Sequence, residues 1–189
     1  NYIGFIRKAL KDAGFANIPV ISFNVVGMEK MPGFKITPDM VEKLLKVVVY
    51  GDLLQKMLTK NRVYEVNKGE TQKLYDEWMQ KCKELVVHSS LSEFKKSIYD
   101  MVNDFEKIEL DTSMKKPKVG IVGEVLIKYH PFGNNFIAEK LEQEGAEVIL
   151  PDFMGFVKFM ATHKITFNTL IKTDKYKAKI FKLAIKLID

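Results

Sequence analysis

Apolar residues recur at Tyr2, Ile6, Leu10 and Ala13, with Ala9 beside them. That spacing lines one face of a helix, and Gly14 is placed to end it. The next run, Ile18-Pro-Val-Ile-Ser-Phe23, is rich in β-branched residues and too short for a helix. It predicts a buried parallel strand whose carboxyl end is Asn24. A helix followed by such a strand is half of a βαβ unit, so its partner strand is expected upstream of Asn1. The closing residues Lys-Leu-Ile-Asp189 are still helix-like, and both ends read as cut from a longer chain.

From Thr37 to about Leu110 the period is helical throughout. Thr37-Pro38-Asp39 supplies a cap, a proline at the first helical position and an acid in the first turn. Val41, Leu44, Leu45 and Val48 form the expected core stripe, continued by Leu53, Leu54, Met57 and Leu58 after Gly51, which marks a break or a close contact. Leu74, Trp78, Cys82 and Leu85 make a second stripe, and Leu91, Phe94, Ile98, Met101, Phe105 and Ile108 a third. Trp78 and Cys82 are therefore core residues. His88 falls at a helix end, near the negative end of its dipole.

A polar stretch from Asp111 to Pro117 leads into a second α/β unit. Val119 to Gly123 predicts a buried strand, Glu124 to Gly133 a loop or partly extended segment, Asn134 to Glu144 a helix, and Ala146 to Leu150 a second strand. The fold class is accordingly α/β, with parallel, Rossmann-like sheet elements flanked by helices and a helical segment between two αβ units. The expected organisation is residues 1–36, 37–114 and 115–189.

Charge sharpens the picture at one end. Asn1 to Met154 holds 22 basic and 22 acidic residues, whereas Gly155 to Asp189 holds 8 Lys and 2 Asp. In that tail Tyr176, Ile180, Leu183, Ala184 and Leu187 share one helical face, and Lys175, Lys179, Lys182 and Lys186 another. A solvated helix face is the expectation over an acidic partner, a phosphate-bearing ligand or a membrane surface. The tail aromatics fall on the apolar side, which argues against nucleic acid. No run approaches a membrane span or a secretory leader, so no membrane and a cytoplasmic address are expected. The single Cys82 excludes an internal disulfide and any cysteine-ligated cluster assembled wholly from this chain.

In parallel sheets, ligands bind outside the carboxyl ends of the strands. Two such ends are read here: Asn24 to Gly27, and Gly123 to Asn135. The second offers a carboxylate at Glu124, an amine at Lys128, an imidazole at His130 and amides at Asn134 and Asn135, with Gly123 letting backbone approach a ligand. Asn24, Gly123, Glu124, Lys128, His130, Asn134 and Asn135 are thus the candidate ligand-binding residues, with no metal ligands among them. The same residues have a plainer reading, His130 satisfying loop backbone and the asparagines capping a helix. A dinucleotide fingerprint is not met, since Gly120 and Gly123 are followed by no glycine until Gly133. No Walker loop and no serine nucleophile elbow occurs.

Lys118-Val-Gly-Ile-Val-Gly-Glu124, His130-Pro-Phe-Gly-Asn-Asn135 and Leu141-Glu-Gln-Glu-Gly-Ala-Glu-Val148 with Pro151-Asp152 carry a resemblance. So do Asn1 to Gly14, Pro19-Val-Ile-Ser22 and Tyr50-Gly-Asp-Leu-Leu54. The chain resembles the acyl-CoA dehydratase activase-related family, itself similar to the iron-sulfur subunits of 2-hydroxyacyl-CoA dehydratases. The resemblance implies a large, oxygen-sensitive protein of anaerobic bacteria, often fused to actin-like ATPase activase domains. It implies a [4Fe-4S] cluster in the full-length protein and none in this fragment, because the family's cysteines would precede Asn1. The implied partners are the remainder of the parent chain, ATPase activase domains and an acyl-CoA ligand. The implied roles are part of an iron-sulfur or acyl-CoA site, inactive alone, or a non-catalytic module docking an activase to a dehydratase.

Overall fold

The computed structural model describes residues 2–21, 35 and 37–170, grouped in two compact units, Asn1–Pro38 and Asp39–Asp189. In the first, α1 (Tyr2–Asp12) is the expected amphipathic helix. Gly14, at φ +84°, ends it, and the Phe15 N–H closes back on the Leu10 carbonyl at 2.8 Å. None of the residues of α1 is buried. The buried strand expected from Ile18 to Phe23 does not form in its described part. Ile18 donates its N–H back to the Phe15 carbonyl at 3.1 Å in a local turn, Pro19 has no N–H to give, and Ile18 and Ile21 stay half exposed. Ser22, Phe23 and the candidate Asn24 lie outside the described residues.

The second unit is mostly helical and carries a two-stranded parallel sheet. Three long helices, α2 (Pro38–Asn61), α3 (Glu70–His88) and α4 (Leu91–Glu106), meet at a core of Tyr50, Leu54, Trp78, Cys82, Met101, Phe105 and Ile108. Trp78 and Cys82 are buried as their stripe predicts. α2 runs unbroken through Gly51, and nothing lies within 4 Å of where a Cβ would stand there. Gly51 is neither a break nor a close contact.

The buried edge of α2 follows the expected stripe at Leu54 and Leu58 and departs from it at the start of the helix. It is Lys46, Tyr50, Leu54 and Leu58, whereas Val41, Leu44 and Leu45 are exposed. At 100° per residue these apolar residues fall on the opposite side of the helix. Burial of Lys46 is possible because its Nζ donates to the Ser89 carbonyl at 2.7 Å and pairs with Glu42 at 2.8 Å. Tyr50 follows one turn later, its hydroxyl 2.6 Å from that of Ser97.

Beyond the helices, β1 (Lys118–Gly120) and β2 (Glu147–Ile149) pair in parallel, Val119 opposite Val148. β2 buries Val148, but β1 is not the buried strand expected, and it stops before Ile121. Between them lie α5 (Val125–Tyr129), where a loop was expected, and α6 (Ile137–Gln143), which starts three residues later than Asn134. The delay has a local cause: Asn135 and Phe136 hold φ of +59° and +55°, outside the helical range.

α7 (Phe153–Leu170) completes the described structure; the basic helix expected from Tyr176 to Leu187 lies outside it. The start of α7 is capped at long range. Asp52 of α2 accepts from the N–H groups of Phe153 and Met154 at 2.7 and 2.8 Å, and Asp152 accepts from that of Gly155. The Tyr64 hydroxyl donates to Glu147 at 2.9 Å, and Arg62 pairs with Glu142 at 2.7 Å. These bonds join the helical segment to the sheet.

Candidate functional site

The chain leaves β1 through Ile121, Val122 and Gly123 and turns into α5. Glu124 is the N-cap of this short helix, its carboxylate accepting from the Ile127 N–H at 3.0 Å. At the other end His130 caps, and its Nδ1 accepts from the Gly133 N–H at 2.9 Å. Because Nδ1 accepts, the neutral imidazole carries its proton on Nε2. A Cβ on residue 133 would approach that Nδ1 to 3.3 Å, so glycine there keeps the contact open.

Asn134 ties the two short helices together. Its Nδ2 donates to the carbonyls of Ile127 and Lys128, both at 3.1 Å, and its Oδ1 accepts from the Ile137 N–H at 3.3 Å. The two left-handed residues follow at once. Asn135 tolerates that conformation, and Phe136 holds it against a steric cost of about 1–2 kcal/mol. The Phe136 N–H is returned to the Pro131 carbonyl at 2.8 Å. Lys128 places its ammonium 4.5 Å from the Tyr129 ring centre. Tyr129 in turn donates its hydroxyl to the Pro151 carbonyl and stands edge-on to Phe153, which fastens α5 to the start of α7.

Six of the seven candidates are therefore gathered within Gly123 to Asn135, and Asn24 is outside the described residues. Glu124, His130 and Asn134 direct their polar atoms to the loop's own backbone. Beside the exposed Glu124, His130 and Asn135, the loop turns several large apolar side chains outward. Val122 is 83% exposed and Phe132 81%, and Leu126, Ile127 and Phe136 are each about half exposed. These residues were not expected as functional. The signal for Leu126 and Ile127 was the apolar run Val125-Leu-Ile127 inside a segment otherwise read for its polar groups.

Cluster chemistry finds no donors here. Cys82 is the chain's single cysteine, it lies in the helical core, and burial pushes its thiol up to about 11. Among the described residues no group of three or more His, Cys, Asp or Glu is arranged to hold a metal ion. A four-thiolate [4Fe-4S] site does not fit this chain. No family model, curated protein or solved structure matches the chain.

Proposed function

We propose that this chain is a non-catalytic docking module of a cytoplasmic protein of the acyl-CoA dehydratase activase-related kind, coupling an ATP-dependent activase to a dehydratase. One observation carries the reading: the loop after β1 uses Glu124, His130 and Asn134 to cap its own backbone while presenting Val122 and Phe132 to solvent. Groups held this way are poorly placed to move protons, whereas bare apolar side chains favour a contact surface. The strand, helix pair and parallel strand from Lys118 to Ile149 support a Rossmann-like origin for the scaffold.

A second reading makes the same loop one wall of an iron-sulfur or acyl-CoA site completed elsewhere in the full-length protein. The consecutive left-handed residues Asn135 and Phe136 favour it, since backbone strain gathers at ligand clamps. Titration of the chain with a purified 2-hydroxyacyl-CoA dehydratase and its activase separates the two. Docking predicts a stoichiometric complex weakened about tenfold or more by Phe132→Asp and unaffected by Glu124→Gln. No complex, or one that Phe132→Asp leaves intact, would overturn it.

A further inference from the structure

Three side chains close the loop after β1 in the same way, each accepting from the N–H three residues on: Glu124 from Ile127, His130 from Gly133 and Asn134 from Ile137. One of these acceptors is an imidazole, the side chain that ordinarily changes charge between about pH 5 and pH 8. His130 accepts at Nδ1 only while it is neutral. A proton there turns the acceptor into a donor and sets two N–H groups against each other at 2.9 Å. The ring and Gly133 must then part. Phe132 lies inside this turn, next to Gly133, and is 81% exposed. The backbone bonds from Asn134 to the His130 carbonyl and from Phe136 to the Pro131 carbonyl hold the residues after Gly133. The Gly133 N–H itself is held by the imidazole.

The charged groups of the surrounding elements are Glu124 and Lys128 on α5, Glu139 and Lys140 on α6, and Asp152 before α7. Glu124 is engaged with Ile127, Lys128 lies against the Tyr129 ring, and Asp152 accepts from Gly155. Among the described residues none of them pairs with the imidazole, so no carboxylate stands ready to hold the protonated ring in place. We propose that His130 is a proton-sensitive latch on the docking loop: neutral, it fixes the turn that presents Phe132, and protonated, it releases that turn and weakens docking. The latch rests on the docking reading of the same loop, and His130 acts in it as a positioning residue.

Heteronuclear NMR of the 189-residue chain alone, taken from about pH 8 to about pH 5, tests the latch without a partner. The Gly133 amide resonance should move in step with titration of the His130 ring, with circular dichroism unchanged. Over the same range the affinity for a 2-hydroxyacyl-CoA dehydratase and its activase should fall about threefold or more. His130→Asn keeps an acceptor three residues before Gly133, as Asn134 does for Ile137, and should lose this pH dependence. His130→Ala should bind weakly at both ends of the range. A Gly133 amide indifferent to the ring's titration, or a His130→Asn variant with the parent's pH profile, would overturn the latch. A Gly133 amide that follows the ring in a chain forming no complex at any pH would support the latch in the loop and overturn the docking reading instead.

Discussion

Glu65 and Glu142 are both withdrawn from solvent, and their carboxyls are displaced in opposite directions. Burial would raise Glu65, but the N–H groups of Gly69 and Thr71 donate to it at 2.7 and 2.8 Å and, with Thr71 and Lys68, hold it below its ordinary 4.5. For Glu142, burial outweighs the pairing with Arg62 and the pKa is raised. The signs follow by linkage. Glu65 binds its proton more weakly when folded, so its stabilisation is complete above the ordinary glutamate range and is lost as pH falls through the folded value. Glu142 binds its proton more tightly when folded, so stability declines as pH rises from the ordinary range through its raised value.

Denaturant titrations across pH should therefore show the Glu65→Gln deficit shrinking on the acid side. At neutral pH that deficit should be about 1–3 kcal/mol, from impaired acceptance of one buried and one partly buried N–H group. The difference between the parent and Glu142→Gln should instead fall as pH rises. Parallel curves for either variant would contradict the assignments. Trp78 and Cys82 were legible as core from their stripe. Glu65 was not, because it caps α3 from outside the helix, where no cap pattern is sought.

Among the elements, periodicity was sufficient wherever apolar residues recur along one side of a helix. α1 through α4 follow from it closely. For α2 it held at Leu54 and Leu58 but not at the helix start, where Lys46 is buried and Val41, Leu44 and Leu45 are exposed. α5 is a single turn, too short to leave a period, and its cap, Glu124, was read for its chemistry. α7 carries apolar residues on both sides, so the contrast that reveals a helix is weak. Beside the local cap Asp152, two of its first N–H groups are taken by Asp52, 101 residues earlier in the chain from Phe153, which no local pattern can show. Gly51 supplies the clearest test at this scale. It sits exposed inside α2 with open space around it, so Gly51→Ala should stabilise the chain by about 0.5–1 kcal/mol. A loss of stability on thermal melting would show that glycine is required there.

At the scale of the whole molecule, burial and exposure are divided unevenly. The principal core lies among α2, α3 and α4, while the sheet contributes Ala146 and Val148 and the segments around it leave large apolar side chains bare. The parallel pairing of β1 with β2 was legible because short β-branched runs flanked a helix, Gly145 and turn residues. Their low burial was not, since a run of valine and isoleucine reads alike whether other parts cover it or solvent does. The loop from Val122 to Phe136 is where this matters for function. Amide hydrogen exchange across that loop, with and without a 2-hydroxyacyl-CoA dehydratase and its activase, is the most direct test. A docking surface predicts slower exchange confined to residues 122–136 and its loss in Phe132→Asp. Unchanged exchange there, with the partners present and active, would contradict the account.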